Sequence, residues 1–74
     1  MVEKMNLQDA VLNECRRDKI MVEMFLMNGV RMPGCIMAYD DKVVIIWSEG
    51  KQRMVYKQAI STIIPEKPLK ALKN

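Results

Sequence analysis

The sequence predicts a small, mainly β domain, in which an amino-terminal α-helix is followed by a five-stranded, bent antiparallel sheet. Three observations point to it. Apolar residues near the start repeat at helical spacing and then switch to a period of two. Turn-forming residues punctuate the remainder at short intervals. The chain has 74 residues, enough for one domain, and its two cysteines lack the spacing of a zinc site or a disulfide framework.

Asn6 with Asp9 three residues later is a variant of a helix-capping pair, and it opens the helix. Leu7, Val11 and Cys15 recur at four-residue spacing with Ala10 and Leu12 beside them, while Gln8, Asp9, Asn13, Arg16 and Arg17 form a polar face. The helix is expected to end near Asp18 or Lys19. From Ile20 the period becomes two. Ile20, Val22, Met24 and Leu26 point one way, and Met21, Glu23, Phe25 and Met27 the other.

Asn28-Gly29 is expected to close a hairpin through a type I′ turn, whose two central residues both need positive φ. A second strand follows from Val30 to about Tyr39, with Pro33 limiting its pairing and Gly34 permitting a bend in mid-strand. Asp40-Asp41 turns the chain into Val43 to Trp47, an unbroken apolar run expected to be buried on both faces. Ser48 to Lys51 turns again, and Gln52 to Lys57 forms a fourth strand. Gln58-Ala59 then links tightly to a fifth, Ile60 to Ile64, which Pro65 stops. Residues 1–5 read as a flexible amino-terminus, 6–65 as the folded domain and 66–74 as a disordered basic tail.

This element order describes an SH3-type, partly open barrel. Such a sheet leaves two edges. Pairing the fourth strand of one copy with the fifth of the next would remove every edge if the rotation closed into a ring. Half of the residues are hydrophobic and eight are Met. A domain this small buries too little surface to hide them alone, so burial between copies is expected.

Net charge is +3, of which residues 66–74 carry +2 and residues 1–5 none, leaving +1 on residues 6–65. Charge alone therefore does not argue for nucleic acid, and the placement of the cations must. No apolar run is longer than Val43 to Trp47, far short of the roughly 20 residues of a membrane span, and the amino-terminus lacks the apolar core of a signal peptide. A soluble cytoplasmic protein with two buried free thiols, Cys15 and Cys35, is expected. The chain has no histidine, no Ser- or Cys-based dyad and no phosphate-cradling glycine loop. Neither catalysis nor a metal, cofactor or small-molecule substrate is expected. Asp40-Asp41 is explained by turn chemistry.

The stretch from Val55 to Thr62 places an aromatic ring, an ammonium and an amide (Tyr56, Lys57 and Gln58) just before a β-branched strand. A stacking surface beside a cation suits a nucleobase and its phosphate. Taken alone, a half-buried ring and a solvated lysine explain Tyr56 and Lys57 more simply.

The run Tyr56-Lys57-Gln58-Ala59-Ile60-Ser61 also resembles the YKHAIS signature of Hfq, the bacterial Sm-like RNA-binding family, with Gln58 in place of its His. Similar residues extend through Leu7-Gln8-Asp9, Leu12-Asn13, Arg16-Arg17, Val22 to Gly29, Gly34, Tyr39-Asp40 and Met54 to Pro65, covering residues 6–65. The resemblance implies an Sm fold assembled as a homohexameric ring that binds single-stranded small RNAs and messages and promotes their pairing. It implies a uridine-binding proximal face at Gln8, Asp41, Lys42, Tyr56, Lys57 and Gln58. The family usually has Gln-Phe where this chain has Asp41-Lys42, and lysine has no ring on which a base can stack, so a weaker or altered site is expected.

A distal face for adenine-rich strands is implied at Phe25, Leu26, Gly29, Val30, Arg31, Met32 and Thr62, with Gln52 or Arg53, between which the sequence does not choose. A basic rim is implied at Asn13, Arg16, Arg17 and Lys19, although cations there also complement the helix dipole. The Asp41-Lys42 and Gln58 departures motivate an alternative, a divergent ring acting as a protein-interaction or assembly module.

Overall fold

The computed structural model describes residues 6–72; the expected flexible segment 1–5 and the last two residues of the expected tail lie outside them. Helix α1 spans Leu7–Arg17. Its start is capped as the sequence predicts, because the Asn6 side-chain oxygen accepts the Asp9 backbone N–H at 2.7 Å. At its end the Lys19 N–H donates to the Arg16 carbonyl and the Ile20 N–H to the Cys15 carbonyl. This is a Schellman closure, and it puts Lys19 at φ 53°, in the left-handed region usually taken by glycine.

Five strands follow: β1 Met21–Leu26, β2 Arg31–Tyr39, β3 Val43–Ser48, β4 Lys51–Tyr56 and β5 Ile60–Pro65. A 3₁₀ turn at Lys57–Ala59 joins β4 to β5. The sheet order is β4-β3-β2-β1-β5, with every neighbouring pair antiparallel. β4 and β5 are therefore the two open edges. The alternation predicted for β1 holds: Ile20, Val22 and Met24 are buried, and Met21 and Met27 are exposed. Leu12 and Cys15 of α1 pack onto Val22, Met24, Ile36, Val44, Ile46 and Val55 of the sheet. Shortening one of these, such as Met24→Ala, costs about 2–5 kcal/mol.

Several expectations are corrected. Asn28 does not have positive φ; only Gly29 does, at 91°. The Gly29 N–H donates to the Leu26 carbonyl and the Leu26 N–H to the Val30 carbonyl, which makes a three-residue loop ending in a left-handed glycine. Positive φ at both central positions occurs instead at Glu49 (53°) and Gly50 (79°), between the paired residues Ser48 and Lys51. Gly34 is needed for proximity, since a Cβ there would run into the Trp47 carbonyl oxygen. The register shift in β2 falls later, between Ile36 and Ala38. Pro33 does pair, with Glu23 of β1, in the part of β2 that lacks β3 beside it.

Strand β3 is not buried on both faces: Val44, Ile46 and Ser48 point inward, while Trp47 is 46% exposed. Cys15 is buried, but Cys35 is only partly so. The tail expectation also fails for residues 66–72. Leu69 is buried in the core, a 3₁₀ turn forms at Lys70–Leu72, and both Glu14 carboxylate oxygens accept backbone N–H groups there, from Lys70 at 2.7 Å and Ala71 at 2.8 Å. A single leucine and a buried carboxylate on α1 provide the docking that composition did not reveal.

Candidate nucleic-acid interface

The residues singled out from the sequence fall into three groups on the surface. The first lies around the β2–β3 turn and the end of β4. Asp40 shapes the turn: its side-chain oxygen accepts from the backbone N–H of Lys42 (2.8 Å) and of Val43 (2.9 Å), and these two bonds hold its carboxyl below the usual carboxylate range. The Lys57 N–H donates to the Lys42 carbonyl at 2.8 Å, which ties this turn to the β4–β5 link. Asp41, Lys42, Tyr56 and Gln58 are thereby gathered on one end of the sheet, all exposed.

Lys57 is neither exposed nor free. Its ammonium donates to Asp9 at 2.8 Å with nine-tenths of the side chain covered, and it lies 5.5 Å from the centre of the Tyr39 ring. Asp9 and Tyr39 thus belong to this group although sequence reasoning did not place them there. The signal for Asp9 was a carboxylate in the first helical turn, already explained by capping. Gln8 is set apart in a groove with Val11, Ile60, Ser61, Thr62 and Ile63, beside the β5 edge.

The second group is built by strand register. Phe25 of β1 pairs with Arg31 of β2 on one side and Thr62 of β5 on the other, so a ring, a cation and a hydroxyl form one row across the outward face. Gly29 and Val30 are exposed in the adjoining loop, where Asn28 Oδ1 accepts the Val30 N–H at 3.1 Å. Leu26 and Met32 are half-buried, on the core side of the same strands. Arg31 is held 3.0 Å from Glu23 in the neighbouring row, which keeps its guanidinium firmly charged.

Register also separates the two residues that the sequence left open. Gln52 pairs with Trp47 on the outward face, and Arg53 pairs with the buried Ile46. Neither joins the Phe25–Arg31–Thr62 row within one copy. Arg53 Nε is buried without a hydrogen-bond partner among the described residues, and its guanidinium lies 3.6 Å from Glu49.

The third group sits at the end of α1. Arg16, Arg17 and Lys19 are exposed and Asn13 half-buried. Asn13 Oδ1 accepts from the Arg16 guanidinium at 2.8 Å. Arg17 donates twice to Asp18, at 2.9 and 3.1 Å, a pairing that lowers the Asp18 carboxyl and raises the guanidinium. Arg16 and Lys19 are therefore the cations of this group without a described carboxylate partner.

The rings and cations in these groups can stack bases and hold phosphates. Among the described residues, no cluster of three His, Cys, Asp or Glu could hold a metal, and no helix is long and apolar enough to cross a membrane.

Comparison with known proteins gives a consistent result. The family model for the Hfq protein matches residues 7–70. The RNA-binding protein Hfq of Carboxydothermus hydrogenoformans is 50% identical over 66 residues, which are 89% of this chain and 78% of that protein. The protein of the same name from Pelotomaculum thermopropionicum is 52% identical over 66 residues, covering 89% of this chain and 80% of its own length. A crystal structure described as that of the pleiotropic translational regulator Hfq superposes with a TM-score of 0.78 at 42% identity, covering 80% of this chain and 98% of that one.

Proposed function

This chain belongs to the Hfq family, and on that premise we propose that it binds single-stranded RNA as a ring of its own copies and brings small RNAs and messages together. The observation that carries this reading is the pair of open sheet edges with exposed apolar side chains, Met54 and Tyr56 on β4 and Ile64 on β5. Pairing β4 of one copy with β5 of the next covers these groups and repeats every surface cluster around a circle. A single weak phosphate contact then becomes an array, and such arrays bind long strands by avidity.

Within the ring, Phe25, Arg31 and Thr62, with Gly29 and Val30 beside them, form the adenine-rich face. Leu26 and Met32 support that row from below. Gln52 or Arg53 reaches it from a neighbouring copy. The opposite face, at Gln8, Asp41, Lys42, Tyr56, Lys57 and Gln58, binds uridine weakly. Its lysine is committed to Asp9, and position 42 offers no ring. Asn13, Arg16, Arg17 and Lys19 make the basic rim, where exchange of strands takes place. The ring resides in the cytoplasm and performs no catalysis.

Gel mobility with labelled A-rich, U-rich and mixed oligomers tests the reading. A-rich strands shift at the lowest protein concentration, and less as salt rises. Absence of any shift with all three would end this account.

A further inference from the structure

Trp47 is the chain's single tryptophan, and it stands in a middle strand yet is nearly half exposed. Register puts it at the centre of an outward row, Gln52–Trp47–Cys35–Met21, running across β4, β3, β2 and β1. Beside it is a cleft of about 570 Å³ lined by Trp47, Cys35, Ile36 and Met37 and by two cations from the end of α1, Arg16 and Lys19. No residue of the edge strands β4 or β5 lines this cleft, so closing the ring through those edges uses none of its lining. The backbone beneath the indole is fixed, because β2 approaches so closely at Gly34 that a Cβ there would meet the Trp47 carbonyl oxygen.

We propose that Trp47 is the stacking platform of a nucleobase site on the rim, with Met37 along its floor and Arg16 and Lys19 holding the flanking phosphates. The occupant is an unpaired nucleotide of a single strand, since a base inside a duplex has no free face to stack. Charge favours this occupant over an apolar peptide: the two cleft cations are those not neutralised by a described carboxylate, whereas Arg17 is bound to Asp18. The rim then reads unpaired bases as well as backbone. This inference rests on the RNA-binding reading above, but it concerns a different residue and a separate row of the outward face from the A-rich one.

The test uses the assembled protein and its own fluorophore. A mixed-sequence single strand is titrated with unlabelled oligoadenylate in excess, so that the A-rich face is already filled. Tryptophan emission should be quenched in a saturable manner, and a duplex of equal length should quench much less. Trp47→Ala should weaken this binding on the order of tenfold, the scale of one lost base stack, with the salt slope unchanged. Trp47→Phe should restore most of it, and both variants should bind A-rich RNA as the parent does. Arg16→Gln with Lys19→Gln should instead flatten the salt slope.

Unchanged emission while the mixed strand binds would overturn the proposal, as would full affinity in Trp47→Ala. If Trp47→Ala does not assemble, the parent's emission and the Trp47→Phe variant still decide. Failure of the parent to bind A-rich RNA would strike the broader reading separately.

Discussion

Single side chains decide what each surface can bind. Lys42 stands in the proposed uridine pocket without a ring on which a base could stack, and the nearby Lys57 is held by Asp9. Lys42→Phe is therefore expected to tighten U-rich binding about tenfold, measured by fluorescence anisotropy, with A-rich affinity unchanged. U-rich strands binding best in the parent protein would contradict this. Lys19 shows a trade between stability and charge, since a left-handed backbone costs a residue with a Cβ about 1 kcal/mol relative to glycine. Lys19→Gly should raise the urea midpoint at fixed protein concentration while reducing rim binding and its salt slope. Gly34→Ala should lower stability by about 3 kcal/mol, because the obstacle is backbone and cannot rotate away.

Among the elements, the end of the chain and the β1–β2 turn were the least legible. The segment after Pro65 carries lysines and a second proline and has the composition of a solvated tail. Its order comes from Leu69, buried in the core, and from the Glu14 carboxylate, which receives the Lys70 and Ala71 N–H groups from 56 and 57 residues away in sequence. Those bonds, the Lys70 one first, hold the Glu14 carboxyl below its ordinary range. Because the folded value is depressed, the stabilisation is present above the unfolded glutamate pKa and is lost as pH falls through the folded value. Hydrogen exchange of the Lys70 and Ala71 amides should show protection at neutral pH that disappears in acid, and Glu14→Ala should abolish it at neutral pH. Leu69→Ala should release the same segment, at a cost of about 1.5 kcal/mol. At the β3–β4 turn, Glu49 occupies the left-handed first position of a type I′ pair. Glu49→Asn should stabilise the hairpin by about 0.5 kcal/mol in thermal melts, since asparagine tolerates that conformation better.

For the molecule as a whole, the proposed ring makes assembly and RNA binding inseparable. Introducing charge on both edges, Met54→Lys with Ile64→Lys, is expected to yield smaller species by light scattering and to reduce A-rich binding in step. Retention of full RNA affinity by a stable single copy would contradict the array.

The sequence by itself determined the helix, the five strands, the inward face of β1 and the family, because periodicity, caps and motifs act over a few residues. It also marked the cations at the end of α1, although not which of them Asp18 neutralises. The tertiary structure alone decided that Lys57 is committed to Asp9, that Gln52 and Arg53 part to opposite faces, that Trp47 stands open above a cleft and that Leu69 docks. Each of these depends on register or on a contact between distant segments, and neither is encoded in local composition.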